Sequence, residues 1–291
     1  MASSNCLDTS FIHLTMAHLQ HPSPETEQAL LQSSALQVIV RHRHSSGSSE
    51  ATPENTLKML KLSQFDPTIL KQQLQKVEGK SHFCELAKES AATLPTDFQF
   101  RGKVYFVLGY DIGIASPPDI LINLAHEKFL NHSSEIEPYI IHETHHIGFF
   151  QHQPIPSLEK LEDPQHLLAL IKWGTHSEGM AVHAAYHYRR THGLLLQDRD
   201  YQVYTDSEER LRIIEAYKSL IQLIRSSQQP LDINDILGKM SSEERLWYRF
   251  GAIVAHSLQQ KGKEDLLIQT LSQPQIFWNE AESIMAASSE L

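Results

Sequence analysis

A five-residue pattern, HETHH at 142–146, constrains this 291-residue chain more than any other feature. On an α-helix, residues i and i+4 lie on the same face, so His142 and His146 can present two imidazole nitrogens to one cation. Such a pair suits zinc, and Glu143, about 100° further round the helix, can reach a water molecule beside the ion. Glu143 is therefore predicted to act as the general base of a metal-assisted hydrolysis.

The residues around this pattern favour a helix. Ser134 to Glu137 has the spacing of a capping box, and Pro138 is tolerated only in a first turn, so the helix is predicted to start at about residue 134 or 137. The helix has broad apolar faces, as expected of a helix buried within a domain, and these are formed by Ile140, Ile141, Ile147, Phe149 and Phe150.

A catalytic zinc ion usually has three protein ligands and one open position. The segment 174–190, GTHSEGMAVHAAYHYRR, predicts a second helix with Glu178 near its start, followed by glycine and alanine residues. Small residues on the turns after a carboxylate allow two helix backbones to approach each other. Glu178 is therefore the predicted third ligand.

The nearby histidines leave alternatives open. A pair made by His142 and His145 is also possible on a helix, although it would leave Glu143 without a role. The third ligand could instead be one of the histidines that flank Glu178, which are His176, His183 and His187. A chain with nine histidines between 142 and 192 could also be a metal-buffering protein with several weak sites.

The two segments together resemble the gluzincins, in which HExxH lies on one helix and a ligand glutamate on the next. They are more closely similar to bacterial families of zinc-dependent peptidases whose second helix carries a Glu-Gly-small-Ala signature, which corresponds here to EGMA at 178–181, with Met180 at the position of the small residue. The run RFGAIVAH at 249–256, then KGKEDLL at 261–267 and Phe277, is similar to the closing helices of those families.

That resemblance implies one zinc ion per chain, held by His142, His146 and Glu178, with Glu143 as the base. It also implies a zincin-like metallohydrolase, most simply a peptidase acting on peptides or proteins. A catalytically inactive zincin-like protein that uses the same cleft for binding remains an alternative, and so does an ester or small amide as the substrate.

Two short runs before the metal pattern predict strands. They are KVYFVLG at 103–109 and DILINLA at 119–125, and turn residues bound them at Gly113, Pro117 and Pro118. The resemblance implies a small sheet beside the HExxH helix, with its edge above the zinc ion. An extended peptide could add to that edge, which favours peptide hydrolysis.

The remaining segments predict helices, so the expected fold class is α+β and mainly helical. An N-terminal helical region, 1–97, is predicted to precede a zincin-like catalytic region, 98–291, and the two could also form one continuous domain. The predicted helices include 25–40, in which LQVIV could also form a strand, then 54–62, 67–77, 81–92, about 206–225 and about 241–262.

Composition narrows the function further. A formal net charge of −10 argues against a nucleic-acid partner, which would require a basic surface. No apolar run is long enough to span a membrane, and the N-terminal residues do not have the pattern of a secretion signal.

The only cysteines, Cys6 and Cys84, do not form a disulfide framework, and Cys84 fits a small residue of a helix core. These features predict a cytoplasmic protein in a reducing compartment.

The group that would stabilise the oxyanion is left unassigned by the sequence. A tyrosine hydroxyl, an arginine or a histidine beside the developing charge could contribute a few kcal/mol. The candidates are Tyr186, Tyr188, His183, Tyr248 and Arg249.

Overall fold

The computed structural model of the chain describes residues 6–80, 82–227, 230–261 and 264–288. Helices account for most of these residues, and the protein is mainly helical α+β, as the sequence predicts. The described residues include four short strands, which are β1 (Leu7–Asp8), β2 (Val104–Val107), β3 (Gly113–Ser116) and β4 (Asp119–Asn123).

The α-helices of the described residues range from four to 28 residues in length. They are α1 (Ser10–Gln20), α2 (Pro24–Leu31), α3 (Ser34–Ser45), α4 (Pro53–Met59), α5 (Pro67–Val77), α6 (Phe83–Glu89), α7 (Glu127–Asn131), α8 (Ile136–His152), α9 (Pro164–Thr191), α10 (Gln202–Thr205), α11 (Ser207–Ser226), α12 (Ile233–Ser241), α13 (Leu246–Gln260), α14 (Glu264–Ser272) and α15 (Pro274–Ala287). Short 3-10 turns occur at Leu62–Gln64, Ser90–Thr93, Ser133–Glu135, Leu195–Gln197 and Arg199–Tyr201.

The chain divides into two compact units. The first contains Met1–Glu89 and Gln99–Ile147, and the second contains Ser90–Phe98 and Gly148–Leu291. The division between an N-terminal helical region, 1–97, and a catalytic region, 98–291, stays a prediction.

The first unit contains a four-stranded mixed sheet in the order β1-β2-β4-β3. β1 is parallel to β2, β2 is parallel to β4, and β3 is antiparallel to β4. The two strands expected from the sequence correspond to β2 and β4. The sequence pattern missed β1, which has two described residues, and β3, whose sequence GIAS contains only one β-branched residue.

α3 packs on the sheet, contacting β2, β3 and β4. Its segment LQVIV is helical, so the strand alternative for these residues is wrong. The side chain of Ser33 accepts a hydrogen bond from the main-chain N–H of Leu36, which caps the helix and sets its start. The buried side chains Leu36, Ile39 and Val40 then recur at helical spacing. The expected helix 25–40 is in fact two helices, α2 and α3.

A disulfide bond joins Cys6 and Cys84, whose α carbons are 5.9 Å apart. The interpretation of the cysteines as unpaired, with Cys84 as a small core residue, is therefore wrong. The reason is that a pair 78 residues apart in the sequence has no spacing pattern that links its members. The argument from unpaired cysteines for a reducing compartment loses its basis, and a cytoplasmic location stays a prediction.

In the second unit, α9 and α13 cross at two glycines with their backbones in direct contact. A β carbon added to Gly179 would lie 2.2 Å from the α carbon of Gly251. A β carbon added to Gly251 would lie 2.1 Å from the carbonyl oxygen of Thr175. Glycine is required at both positions because the opposing atoms belong to the main chain and cannot rotate away.

α9 begins ten residues earlier than the sequence suggested. Pro164 occupies its first turn, and the side chain of Asp163 accepts a hydrogen bond from the N–H of Gln165 at 2.7 Å, which caps the helix. The prediction of a helix that starts near Gly174 is therefore wrong. Glu178 lies in the middle of a long helix, where its main chain is held by the helix on both sides.

A helix must be both long and apolar to cross a membrane. No helix among the described residues combines sufficient length with sufficient hydropathy to do so.

Candidate metal centre

α8 carries the HETHH pattern, and carboxylates lie at its start. It begins at Ile136, between the two starting positions predicted from the sequence. Glu135 is fully buried, with its carboxylate 3.4 Å from Lys128 Nζ. Glu137 Oε1 lies 3.2 Å from His82 Nε2. Negative side chains near a helix N-terminus complement the helix dipole, so both carboxylates favour the start of this helix.

His142 and His146 face each other one turn apart on α8. Their Nε2 atoms are 3.1 Å apart, and their ring planes are inclined at 80°. Two nitrogens bound to one tetrahedral zinc ion lie about 3.3 Å apart, given Zn–N bonds of about 2.0–2.1 Å. The separation of the two imidazole nitrogens therefore fits a shared zinc ion.

Glu143 lies beside the edge strand of the sheet. A β carbon added to Gly113, the first residue of β3, would be 2.8 Å from Glu143 Oε1 and 3.2 Å from its Cγ. The Glu143 side chain is buried. The absence of a side chain at residue 113 thus leaves the space that the carboxylate of Glu143 fills.

Glu178 completes a three-residue cluster with the two histidines. One ligand atom from each of His142, His146 and Glu178 lies within 4.8 Å of the others. This is the one group of three or more possible metal ligands among the described residues. Two imidazole nitrogens and one carboxylate oxygen match the donor set of catalytic zinc sites that leave a position open.

The histidines that flank Glu178 have other partners or lie on the surface. His176 Nε2 is 3.0 Å from the hydroxyl of Thr270, and burial lowers the pKa of His176 to about 3. His183 Nδ1 is 3.1 Å from the hydroxyl of Tyr204, while His187 is exposed. None of them belongs to the cluster found among the described residues, and neither does His145, which is fully buried.

The five residues considered for the oxyanion all have partners within the second unit. Arg249 is buried and forms an ion pair with Glu209. The other four make contacts with rings or hydroxyls: His183 with Tyr204, Tyr186 stacked on Tyr204, Tyr188 stacked on His192, and Tyr248 beneath the guanidinium of Arg245. The oxyanion role therefore stays unassigned.

The fold and the cluster define a class of protein, a mainly helical α+β chain in which two histidines and a glutamate can hold a metal ion. The sequence model of one family, described as "Putative zinc dependent peptidase (DUF5700)", matches residues 4–280, and the chain belongs to this family. Searches of the curated proteins and of the solved structures gave no match. Family membership and the His/Glu cluster together support a zinc metallohydrolase.

Proposed function

We propose that this protein is a zinc-dependent peptidase in which His142, His146 and Glu178 hold one zinc ion per chain and Glu143 is the general base. The observation that carries the proposal is the cluster of three ligand atoms within 4.8 Å. The family match over residues 4–280 supports the same metal and the same reaction class.

Three protein ligands leave one position of a zinc ion open for water or substrate. Zinc bound by two histidines and one glutamate would supply Lewis-acid chemistry, which polarises a substrate carbonyl and makes water more acidic. The three side chains come from two helices, α8 and α9, so the ligand positions depend on helical backbone rather than on loops. Ligands on regular elements hold their geometry better than ligands on loops.

Glu143 performs the proton transfers. Its carboxylate accepts a proton from the attacking water and later delivers it to the leaving nitrogen of the cleaved peptide bond. General base catalysis of this kind contributes about 10²- to 10⁴-fold to a rate. The contact with Gly113 holds the carboxylate in place on the side of the edge strand.

The substrate is a peptide or a protein segment in extended conformation. β3 is the edge strand of the sheet, and its first residue contacts the proposed base. A peptide that adds to β3 by main-chain hydrogen bonds would therefore pass beside Glu143. This arrangement of an edge strand, an HExxH helix and a glutamate on a second helix supports a zincin-like fold.

Zinc content and peptide hydrolysis, measured on the same set of variants, test the proposal. The wild type is expected to bind one zinc ion per chain by elemental analysis, and Glu178→Ala or His146→Ala to lose most of it. Glu143→Gln is expected to keep zinc and to lose about 10²- to 10⁴-fold in hydrolysis of a peptide library. His187→Ala is a matched control, because His187 is an exposed histidine on the same helix as Glu178.

Two results would refute the assignment. Zinc binding that is indifferent to Glu178 would remove this residue from the ligand set. Undiminished hydrolysis by Glu143→Gln would remove the general base.

A further inference from the structure

Alternate residues of the edge strand β3 direct their main-chain groups away from β4. The N–H of Asn123 donates to the carbonyl oxygen of Ile112 at 3.0 Å, and Ile114 pairs with Leu121. In an antiparallel ladder only every second residue bonds to a given neighbour. Residues 113 and 115 therefore present their main-chain groups to the edge where a peptide would add.

Asp111 lies two residues before the point where β3 meets the proposed base. A bend at Ile112 separates Asp111 from β3, and the β-carbon position of Gly113, the first residue of this strand, faces Glu143. Two residues span at most about 7 Å, so the α carbon of Asp111 lies within that distance of the α carbon of Gly113.

The charge of Asp111 is not neutralised by its neighbours. Its carboxylate is exposed, and no cation among the described residues forms an ion pair with it. It acts electrostatically on His42, Tyr110 and His126. Burial lowers the pKa of both histidines and raises the pKa of Tyr110 to about 12, so all three side chains are uncharged at neutral pH.

The cations that act electrostatically on Tyr110 and His126, which are Arg43 and Lys128, are engaged elsewhere. Arg43 donates hydrogen bonds to the hydroxyls of Thr56 and Ser48. Lys128 lies 3.4 Å from the buried carboxylate of Glu135. The uncompensated negative charge of Asp111 thus lies at the N-terminal end of the strand that would receive the peptide.

We propose that Asp111 selects substrates that carry a lysine or arginine side chain on the C-terminal side of the cleaved bond. The proposal rests on the proposed peptidase function. In an antiparallel addition the peptide runs opposite to β3, so the part of the peptide that passes Asp111 lies on the C-terminal side of the residue beside Gly113. The same charge disfavours an acidic side chain or a free terminal carboxylate at that place.

The test uses the zinc-loaded full-length chain and a series of neutral peptides. A single Lys or a single Glu is moved through each position on both sides of the cleaved bond. Hydrolysis is measured as kcat/KM, and binding is measured by fluorescence anisotropy with the Glu143→Gln variant. Each measurement is repeated with Asp111→Asn, which removes the charge at constant size, and with Glu127→Gln. Glu127 is an exposed carboxylate on neighbouring α7, outside the strand, and serves as the matched control.

At one position C-terminal to the cleaved bond, kcat/KM of the peptide with Lys is expected to exceed that of the peptide with Glu by about tenfold. A ratio of this size is typical of exposed charge pairs when attraction replaces repulsion. Asp111→Asn should reduce this ratio to within about twofold, and Glu127→Gln should leave it unchanged. A ratio near one in the wild type, or an equal loss in Asp111→Asn and Glu127→Gln, would overturn the proposal.

The two readouts separate this inference from the proposed reaction. Binding that keeps the charge preference without any hydrolysis by the wild type would refute the peptidase reaction and support the role of Asp111. Hydrolysis without a charge preference would refute the role of Asp111 alone. A protein that neither binds nor cleaves any peptide of the series would refute both.

Discussion

The carboxylate of Glu143 fills the space that Gly113 leaves empty because it has no side chain. The β-carbon position of residue 113 lies only 2.8 Å from Glu143 Oε1, closer than any real β carbon approaches such an atom. Strand β3 and the helix that carries HETHH are therefore fitted to each other at the proposed base. Any side chain at residue 113 would displace the carboxylate.

Gly113→Ala should lower hydrolysis without removing zinc. The added methyl group pushes the Glu143 carboxylate aside, and a displacement of about 1 Å in a reacting group can cost about 10²-fold in rate. The three atoms nearest to the added methyl group all belong to Glu143, which is not a proposed zinc ligand, so zinc content should remain at one per chain. Parallel measurement of kcat, zinc content and thermal unfolding separates this effect from misfolding, and an unaltered kcat would contradict it.

Gly251→Ala should destabilise the protein by at least about 2 kcal/mol, because overpacking of a tight contact costs about 1–3 kcal/mol or more. The opposing atoms are the main chain of Thr175 and Gly179, so no side chain can move to relieve the contact. Urea unfolding monitored by circular dichroism measures the change in the free energy of unfolding.

Gly238→Ala is the control for this helix crossing. Gly238 lies within α12, and an added β carbon would meet only the flexible side chain of Glu243, at 3.2 Å. Alanine should therefore be neutral there or stabilise the helix by up to about 1 kcal/mol. If Gly251→Ala behaved like this control, the two helices could not be in the described contact.

Reduction of the Cys6–Cys84 bond should lower the free energy of unfolding by about 4.5 kcal/mol, which is the chain-entropy value for a closed loop of this length. The bond restricts the unfolded chain, and the native contacts of the first unit are otherwise unchanged. Urea unfolding with and without reductant measures the difference. The double variant Cys6→Ser, Cys84→Ser should be indifferent to reductant, and equal indifference of the wild type would show that the bond does not form.

His183 should make the protein less stable in acid. Burial and the nearby His256 lower the pKa of His183 to about 3. In the unfolded chain its pKa is about 6.5, so the unfolded state binds the proton more readily between these two values. The stability contributed by neutral His183 is complete above about pH 6.5 and is lost as the pH falls toward 3, by up to about 1.4 kcal/mol per pH unit.

Two substitutions on α9 isolate this contribution. His183→Gln retains a hydrogen-bonding group for Tyr204 but does not titrate, so its stability should decline less steeply between pH 6 and pH 4. His187→Gln changes an exposed histidine of the same helix, so its free energy of unfolding should vary with pH as steeply as that of the wild type. Urea unfolding at half-unit pH intervals gives both slopes, and identical slopes in His183→Gln and the wild type would exclude His183 as the source.

The sequence predicted the elements whose signals are local. The HETHH helix, the strands β2 and β4, and helix α5 each combine periodic apolar residues with a cap, a proline or a β-branched run. α11 follows the same rule, since Asp206 caps it at the predicted start of about residue 206. The prediction of His142, His146 and Glu178 as ligands uses the same kind of information, namely spacing on a helix and a signature of small residues.

The features that the sequence did not reveal depend on contacts between distant segments. β3 consists of glycine, alanine, serine and one isoleucine, and becomes a strand because β4 supplies its hydrogen bonds. The small residues after Glu178 suggested a close approach to the other metal helix, but Gly179 packs against Gly251 of α13. The sequence did not indicate a role for Asp111, because the proposed role depends on the position of Gly113 beside Glu143. The sequence marked Gly113 only as a strand boundary.

The shortness of β1 has a consequence for self-association. A sheet with two exposed edges can pair with other copies of itself, and very short edge strands reduce that risk. β1 has only two residues among those that the structure describes, Leu7 and Asp8. The carboxylate of Asp8 lies 3.3 Å from Lys103 Nζ. The preceding residue, Cys6, is joined to α6 by the disulfide bond. Of the two outer strands in the sheet, β3 therefore offers the longer hydrogen-bonding edge, and at this edge docking of a peptide and unwanted pairing between copies would compete.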